Sequence, residues 1–300
     1  MKLAKSYGEQ LEILESRGLY IDDKDKALEV LSNVNYYNLT GYLCQFKNSQ
    51  GNYESGTSFE QGVALYNFDR ELHAFLSSII TEIEQSLKTK VAHAIAMSFP
   101  KDPCCYEQAD FFTDKTDHEK FMFEFNKSIN QNNRVDFVKH HIHKYNRHFP
   151  IWVAVQLFTL GNLKVLYANS PAKARKAVSN VYDVSPLIMD SWINCVRLIR
   201  NLTAHNMRLY GSTFYKMPKK AAGKVEYTGS NHLWGYFLLL RYLYHDKEKW
   251  IDKAVQLRKI FSGYLCYIDL DEIGFPDDWF IQLTAPIKSN LKFKDEIISQ

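Results

Sequence analysis

The sequence predicts an all-α protein, and three observations lead to this fold class. Apolar residues recur at the three- and four-residue spacing of an amphipathic helix, above all over residues 63–87 and 192–209. Prolines and glycines stand at the ends of such stretches, where helices begin or end. Runs with the alternating pattern of a strand are scarce. Long helices without strands pack as a helical bundle.

The first half of the chain is predicted to contain one long helix with shorter helices on either side. Thr57 or Ser58 begins the long helix, since a hydroxyl at that position accepts a hydrogen bond from a free backbone N–H. Pro100 and Pro103 end it. The other predicted elements are a helix over residues 6–18, a helix capped by Asp22 or Asp23 that runs through Leu31, a loop or small hairpin over 44–59, a polar loop over 101–117 and a helix over 118–131.

The second half is predicted to be a series of helices separated by turns. Pro150 opens an apolar helix over residues 151–160 that Gly161 stops, and Ser185 with Pro186 begins the helix that carries residues 187–209. The remaining predictions are a helix from Asn162, a loop or hairpin with four lysines over 211–230, helices over 231–245 and 247–262, and an irregular tail from Asp269.

These elements divide into an N-terminal cap region (1–56), a central bundle (57–212) and a C-terminal helical extension (213–300). No linker-like stretch separates the three parts, so we expect one compact unit. With 46% hydrophobic and 24% charged residues the composition is that of a globular protein, not of a disordered chain.

The cysteine pattern and the apolar runs predict a cytoplasmic protein without a membrane segment. The five cysteines are odd in number and form no C-x-x-C, which argues against a disulfide framework or a zinc site and favours a reducing compartment. The N-terminus lacks the apolar core of a signal peptide. The longest apolar run has about eight residues, far short of the ~20 that span a bilayer.

The most informative segment is Trp192–Tyr210. On a helical wheel its apolar residues fall on one side, while Arg197, Asn201, His205 and Arg208 follow one another on the other side at spacings of four, four and three. Arg200 lies beside this stripe. Arginine binds phosphate oxygens bidentately, and histidine transfers protons near neutral pH. The stripe therefore suits RNA cleavage without a metal or other cofactor. An arginine and a histidine five residues apart are not rare, however, and from the spacing alone a solvated helix face is the favoured explanation of the stripe.

Several motifs, in order over nearly the whole chain, resemble those of the Abi (abortive-infection) family in the HEPN superfamily of RNases, including its AbiF- and AbiD-like members. Arg200–Leu209 resembles the family's R-N-x-x-A-H-x-x-R-L. The other matching segments are Asn35–Tyr42 (N-Y-Y-R-L-S-G-Y), Leu65–Leu72 (L-Y-x-F-D-R-x-L), Ile83–Thr89 (I-E-x-x-L-R-T), Pro150–Val153 with Gly161–Leu163 (P-x-W-V…G-x-L) and Gly274–Trp279 (G-F-P-x-x-W). The departures are Asn38 and Lys88, where arginine is common, Gln156, where glutamate is common, and Leu160, where phenylalanine is common.

The resemblance implies a HEPN-type bundle and a metal-independent endoribonuclease that acts as an anti-phage toxin. In that mechanism Arg200 steadies the scissile phosphate, His205 is the general base or acid, Asn201 positions them, and Arg197 and Arg208 bind RNA. It also implies a homodimer in which two such helices line one cleft, and a non-coding RNA that restrains the toxin.

Two basic segments outside this helix are further candidates for RNA binding. The first contains Lys139, His140, Lys144 and Arg147, and the second is the lysine loop with Lys219 and Lys220. For each segment a solvated basic surface is the more common explanation, and an RNA-binding surface comes second. The triplet His140-His141-x-His143 could bind a metal, but no cysteine or carboxylate completes a familiar spacing, so we predict no metal site there.

Two more groups have both a structural and a functional interpretation. The aromatic residues Tyr36, Tyr37, Tyr42, Phe46 and Tyr53 could stack on bases, but their density favours a small N-terminal core. Asp69-Arg70 and Glu84 lie within the apolar pattern of the long helix and predict buried ion pairs, although Glu84 could orient active-site groups.

The alternative to an RNase is a HEPN module that binds RNA or protein and senses infection without cutting. A nucleotide-transfer enzyme, or the target of one, is a third class, but the chain has no nucleotidyltransferase signature.

Overall fold

Helices dominate the structure, a computed structural model that describes residues 3–228 and 231–286. Within these residues there are thirteen α-helices and no β-strand, only isolated bridges, which confirms the all-α prediction. None of these helices is both long and apolar enough to cross a membrane. The helices are α1 (Tyr7–Ser16), α2 (Lys24–Asn33), α3 (Tyr36–Leu43), α4 (Phe59–Ser98), α5 (Lys115–Gln131), α6 (Asp136–Lys144), α7 (Ile151–Ala154), α8 (Leu160–Asn169), α9 (Ala172–Val181), α10 (Pro186–Ala204), α11 (Trp234–Leu243), α12 (Lys247–Tyr264) and α13 (Trp279–Thr284).

Helix α4 is the element around which the others assemble. Ser58 and Gln61 form a capping box at its start: the Ser58 hydroxyl accepts from the Gln61 N–H at 3.2 Å, and the Gln61 side chain accepts from the Ser58 N–H at 2.9 Å. The helix runs for 40 residues and ends just before Pro100. Buried apolar residues occur along it from Phe59 to Ile95, and it contacts α3, α7, α9, α10 and α12. Its predicted start and end are confirmed.

Helix α10 packs across α4 and is also flanked by α8, α9 and α11. Ser185 caps it as predicted, with its hydroxyl accepting from the Ile188 N–H at 3.3 Å, and Pro186 occupies the first turn. Nearly every residue from Met189 to Ile199 is buried. The prediction of one buried and one exposed face is therefore wrong for most of this helix, because neighbours surround it and only its C-terminal end reaches the surface.

The prediction that this helix continues to residue 209 is also wrong, since α10 ends at Ala204. The N–H of Met207 donates to the Leu202 carbonyl at 3.0 Å, and that of Asn206 donates to the Thr203 carbonyl at 3.3 Å. Asn206 itself adopts a left-handed conformation with φ of 49°. These features form a Schellman motif, in which asparagine replaces the more usual glycine. Leu209 keeps helical spacing in sequence, but it reaches the core from the turn that follows.

The predicted helix over residues 151–160 is divided in the structure. Helix α7 ends at Ala154, a short 3₁₀ turn follows, and Phe158 is extended. Helix α8 then begins because the Thr159 hydroxyl accepts from the Asn162 N–H at 3.1 Å. Gly161 consequently lies inside α8 and does not stop a helix.

Several helices of the structure were not predicted from the sequence. Helices α3, α6 and α9 lie in segments to which no helix was assigned, and the tail, predicted to be irregular, contains α13. The rest of the predicted tail, residues 287–300, lies outside the described residues, as do residues 229–230 of the lysine loop.

The buried side chains form two clusters. The larger one surrounds α4 and α10, and the smaller one is built by α1–α3 and Phe59. Phe46 and Tyr66 pack against both clusters. Tyr42 and Tyr53 are buried, which agrees with the core interpretation of the N-terminal aromatics, whereas Tyr37 is exposed. The boundaries at residues 56 and 212 stay predictions.

Candidate active site

Arg200 and His205 both lie at the exposed end of α10. Arg200 belongs to the last turns, and its side chain is 49% exposed. His205 is the C-terminal cap residue and is also exposed. Across residues 3–228 and 231–286 no hydrogen bond engages its imidazole. Asn201, one turn before His205, is half-buried.

A charged cluster beneath Arg200 joins α4 to α10. Glu84 Oε1 lies 2.8 Å from Lys88 Nζ, and Glu84 Oε2 lies 4.0 Å from Arg200 Nε. The side chains of Glu84 and Lys88 are only 17% and 9% exposed. The predicted ion pair at Glu84 is confirmed, with Lys88 as its partner. Glu84 is also placed to restrain the guanidinium of Arg200 electrostatically.

Asp69 anchors the segment that follows α10. Its carboxylate accepts from the backbone N–H of Leu209 at 2.7 Å, from that of Tyr210 at 3.0 Å and from the Tyr42 hydroxyl at 2.8 Å. Burial raises the pKa of Asp69, while these donors and the nearby His73 oppose that rise. The predicted ion pair with Arg70 is wrong, because the Arg70 guanidinium instead lies over the Tyr66 ring, 5.8 Å from its centroid.

Arg208 does not continue the predicted stripe, since the chain has already turned away from the axis of α10. Its guanidinium donates to the carbonyl of Gly41 and lies 5.9 Å from the centroid of the Tyr42 ring. The three segments 35–42, 65–70 and 200–209, which are far apart in sequence, therefore meet around Asp69 and Arg208. Beside them is a cavity of about 300 Å³ lined by Tyr42, Cys44, Gln45, Arg208, Tyr210, Gly211 and Glu272.

Arg197 is not a free cation on the surface. Its Nε and Nη2 atoms donate to Asn194 Oδ1 at 3.2 and 3.0 Å, and the residue is half-buried. Of the four residues predicted to form one straight stripe, only Arg197 and Asn201 lie within the helix. The structure still places Arg200 and His205 at the same end of α10, with Arg208 on the following turn.

The basic residues predicted on the segment around α6 are exposed, and their contacts are with α5 and with their own segment. Arg147 donates to Asn130 Oδ1 at 3.1 Å, and Lys139 lies 3.7 Å from Asp136. His140 and Lys144 lie against Tyr145. In the described ranges, no hydrogen bond or ion pair links residues 134–148 to residues 197–208.

Lys219 and Lys220 are exposed and lie toward the other end of α10. The Lys219 N–H donates to Ser191 Oγ at 3.0 Å, and its carbonyl accepts from Trp192 Nε1 at 2.9 Å. Ser191 and Ala204 are separated by about 20 Å along the helix axis. The structure therefore does not bring these lysines to Arg200 and His205.

Sequence reasoning from spacing missed Tyr42 and Gly41 as neighbours of the candidate site. Tyr42 is 27 residues from Asp69, and Asp69 is 140 residues from Leu209, so no helical periodicity relates them. The available signal was the presence of family-like motifs at all three segments.

The chain is thus an all-α protein with a candidate site of arginine and histidine at the C-terminal end of α10. Two acidic residues of α4, Asp69 and Glu84, contact this end of the helix and the turn that follows it. The sequence model of the Abi-like protein family matches residues 29–211, which is more than half of the chain and includes all three converging segments. The chain belongs to the Abi-like protein family, which associates it with abortive infection. No curated protein and no solved structure matches it.

Proposed function

We propose that the protein is an endoribonuclease of the HEPN type, which acts in abortive infection by cutting RNA. The observation that carries this proposal is the placement of His205. Its imidazole is exposed, no partner within the described residues engages it, and it caps the same helix end that presents Arg200. The Schellman motif fixes the backbone at His205, and Asp69 fixes the backbone of Leu209 shortly after it.

The proposed reaction uses only the substrate and side chains of this chain. His205 accepts the proton of a ribose 2′-hydroxyl, and the 2′-oxygen forms a bond to the adjacent phosphorus while the bond from phosphorus to the 5′-oxygen breaks. A second proton donor protonates the leaving 5′-oxygen. Arg200 stabilises the charge that develops on the phosphate oxygens. The products are a 2′,3′-cyclic phosphate and a free 5′-hydroxyl.

One copy of the motif supplies a single histidine, whereas the reaction needs both a proton acceptor and a proton donor. A homodimer that brings two α10 ends together would supply the second imidazole and a second Arg200. We propose this assembly, with RNA as substrate and a non-coding RNA as the partner that restrains it.

The proposal is tested by replacing His205 and analysing the RNA ends. Loss of an acid–base group costs about 10²–10⁴-fold in rate, so His205→Ala should abolish cutting of total RNA in EDTA and relieve toxicity. Arg200→Ala should do the same. The matched control is His93→Ala, which removes an exposed histidine of α4 outside the site and should leave cutting unchanged.

The ends of the fragments distinguish the outcomes. Fragments that carry 2′,3′-cyclic phosphates, made by the parent and by His93→Ala but not by His205→Ala, would support the assignment. A His205→Ala protein that cuts or kills as well as the parent would overturn it. RNA binding without cutting by the folded parent would also contradict the proposal and point to a non-catalytic binding module.

A further inference from the structure

Three side chains from two distant segments meet at the turn before α7, and their chemistry is that of a metal site. Cys104 and Glu107 lie on the segment that follows α4, and His148 lies between α6 and α7. One potential ligand atom from each, a thiol sulfur, a carboxylate oxygen and an imidazole nitrogen, lies within 4.8 Å of the other two. This donor set is typical of Zn²⁺.

The three residues are held together by contacts that do not involve a metal. The Ile151 N–H donates to the Pro103 carbonyl at 2.9 Å, and the Tyr106 hydroxyl donates to the Phe149 carbonyl at 2.7 Å. Tyr106 and Phe149 are both fully buried. The backbones that carry the three ligands are therefore fixed relative to each other, which lowers the entropic cost of binding an ion.

The orientation of the side chains also fits coordination. Glu107 Oε1 accepts from the Phe149 N–H at 3.4 Å, while Oε2 lies 2.6 Å from His148 Nδ1. One carboxylate oxygen is thus oriented by the protein and the other faces the remaining ligands, as ligating carboxylates commonly are. The carboxylate of Asp102, whose Oδ1 accepts from the Cys104 N–H at 3.1 Å, adds negative charge beside the cluster.

We propose that Cys104, Glu107 and His148 bind one Zn²⁺ ion, which fastens the segment after α4 to the turn before α7. When the ion binds, the Cys104 thiol releases its proton to solvent. A proton on His148 Nδ1 either leaves to solvent in the same way or moves to Nε2 of the same ring. A water molecule completes the four-coordinate shell. The site is distinct from the His140-His141-x-His143 triplet, where the His141 Nδ1 is already engaged with the Phe137 carbonyl at 2.8 Å.

The test uses Co²⁺ and Zn²⁺ with the full-length, chelator-treated protein under reducing conditions. The parent should bind one Co²⁺ and show the near-ultraviolet charge-transfer absorption of a thiolate–cobalt bond, which excess Zn²⁺ removes. Cys104→Ser should lose that absorption. Cys104→Ser and His148→Ala should each weaken Zn²⁺ binding by at least about 100-fold. Changing a residue that only orients a ligand costs up to about 100-fold in metal affinity, and loss of a ligand should cost at least as much.

Matched controls come from the same chain. Cys266→Ser removes an exposed cysteine, and His140→Ala with His143→Ala removes the exposed imidazoles of the triplet. All of these should bind as the parent does. Because His148 is mostly exposed, with 61% of its side chain accessible, its alanine variant is expected to fold, and its Tm should no longer rise when Zn²⁺ is added. Parent-like Zn²⁺ affinity in both ligand variants, or loss of binding in the triplet variant instead, would overturn the proposal.

Discussion

At the scale of single residues, the candidate site depends on two acidic side chains of α4 that do different work. Asp69 accepts three hydrogen bonds and fixes backbone, whereas Glu84 pairs with Lys88 and faces Arg200 at longer range. A carboxylate surrounded by donors is satisfied only in its ionised, acceptor-only form. Asp69 is therefore a structural residue, and Glu84 is the one placed to influence the Arg200 guanidinium.

A pair of variants separates the structural role of Glu84 from its role toward Arg200. Glu84→Gln leaves the buried Lys88 without its charged partner, so we expect a loss of about 1–3 kcal/mol in the free energy of unfolding. In Glu84→Gln with Lys88→Met the unpaired charge is gone, and most of that stability should return. RNA cleavage should stay low in both variants, because Arg200 has lost its restraint in each.

Urea denaturation and cleavage rates measure the two effects. Glu82→Gln, which replaces a half-buried carboxylate of the same helix, is the matched control and should change neither quantity much. Full cleavage activity in the double variant would show that Glu84 does not position Arg200.

At the scale of elements, the decisive feature is where α10 ends. The Schellman motif at Leu202–Met207 stops the helix and makes His205 its cap residue. It also turns the chain so that Asp69 can bind the following amides. Had the helix continued, His205 and Arg208 would have stayed on a common face with Arg197. The turn instead directs Arg208 toward Tyr42.

The left-handed conformation at Asn206 predicts that glycine is tolerated at this position and that valine is not. Its φ of 49° is accessible to glycine without a steric penalty but is costly for a β-branched residue. Asn206→Gly should keep stability and cleavage near the parent level. Asn206→Val should lower the free energy of unfolding by about 1–2 kcal/mol and slow cleavage, since it displaces His205.

Thermal denaturation measures the stability of the two variants, and the RNA cleavage assay measures their activity. Asn180→Val, a surface substitution within helix α9, controls for the general cost of valine in a helical segment. If Asn206→Val were as stable and as active as Asn206→Gly, the turn would not be what positions His205.

At the scale of the whole molecule, the charges are unevenly placed although their sum is only +3. Three groups of basic residues lie at different places. Arg200, His205 and Arg208 lie at the C-terminal end of α10, and the lysine loop lies toward the start of the same helix. The basic segment around α6 contacts α5 and the loop after α4. Long-range attraction of a polyanion depends on such local concentration and not on net charge.

The need for a second proton-transfer group predicts a dimer in solution. We expect light scattering to give twice the mass of one 35.1 kDa chain for the active protein. Mixing parent subunits with His205→Ala subunits should lower the activity by more than dilution alone, because a mixed cleft retains only one of the two imidazoles. A monomer with full activity would contradict this prediction.

The proposed RNA partner predicts that protein purified at low salt carries RNA. Each phosphate neutralised by a lysine or arginine releases counterions, so the affinity should fall steeply as salt rises. The absorbance ratio and sequencing of the co-purified RNA measure this, and one dominant discrete RNA would support an RNA antitoxin. Nucleic-acid-free protein from its native host, with a neighbouring protein co-eluting instead, would contradict it.

The features that could be predicted from the amino-acid sequence alone are those that short-range forces control. Helical periodicity, the capping hydroxyls of Ser58 and Ser185 and the proline at 100 act within about one turn, and they correctly predicted the all-α fold and the limits of α4. The motif at residues 200–209 also marked the candidate site before its geometry was known.

Three features could not be predicted from the sequence and became visible only in the folded chain. They are the end of α10, the partners of Asp69 and Arg208, and the proximity of Cys104 to His148. Periodicity could not detect the end of α10, because Leu209 satisfies helical spacing yet enters the core from a turn. Nor could it relate Asp69 to Leu209, which is 140 residues away, or His148 to Glu107, which is 41 residues away. Such contacts form only when α4 and its neighbours pack, since the burial of apolar surface, and not the local backbone preference, brings distant segments together.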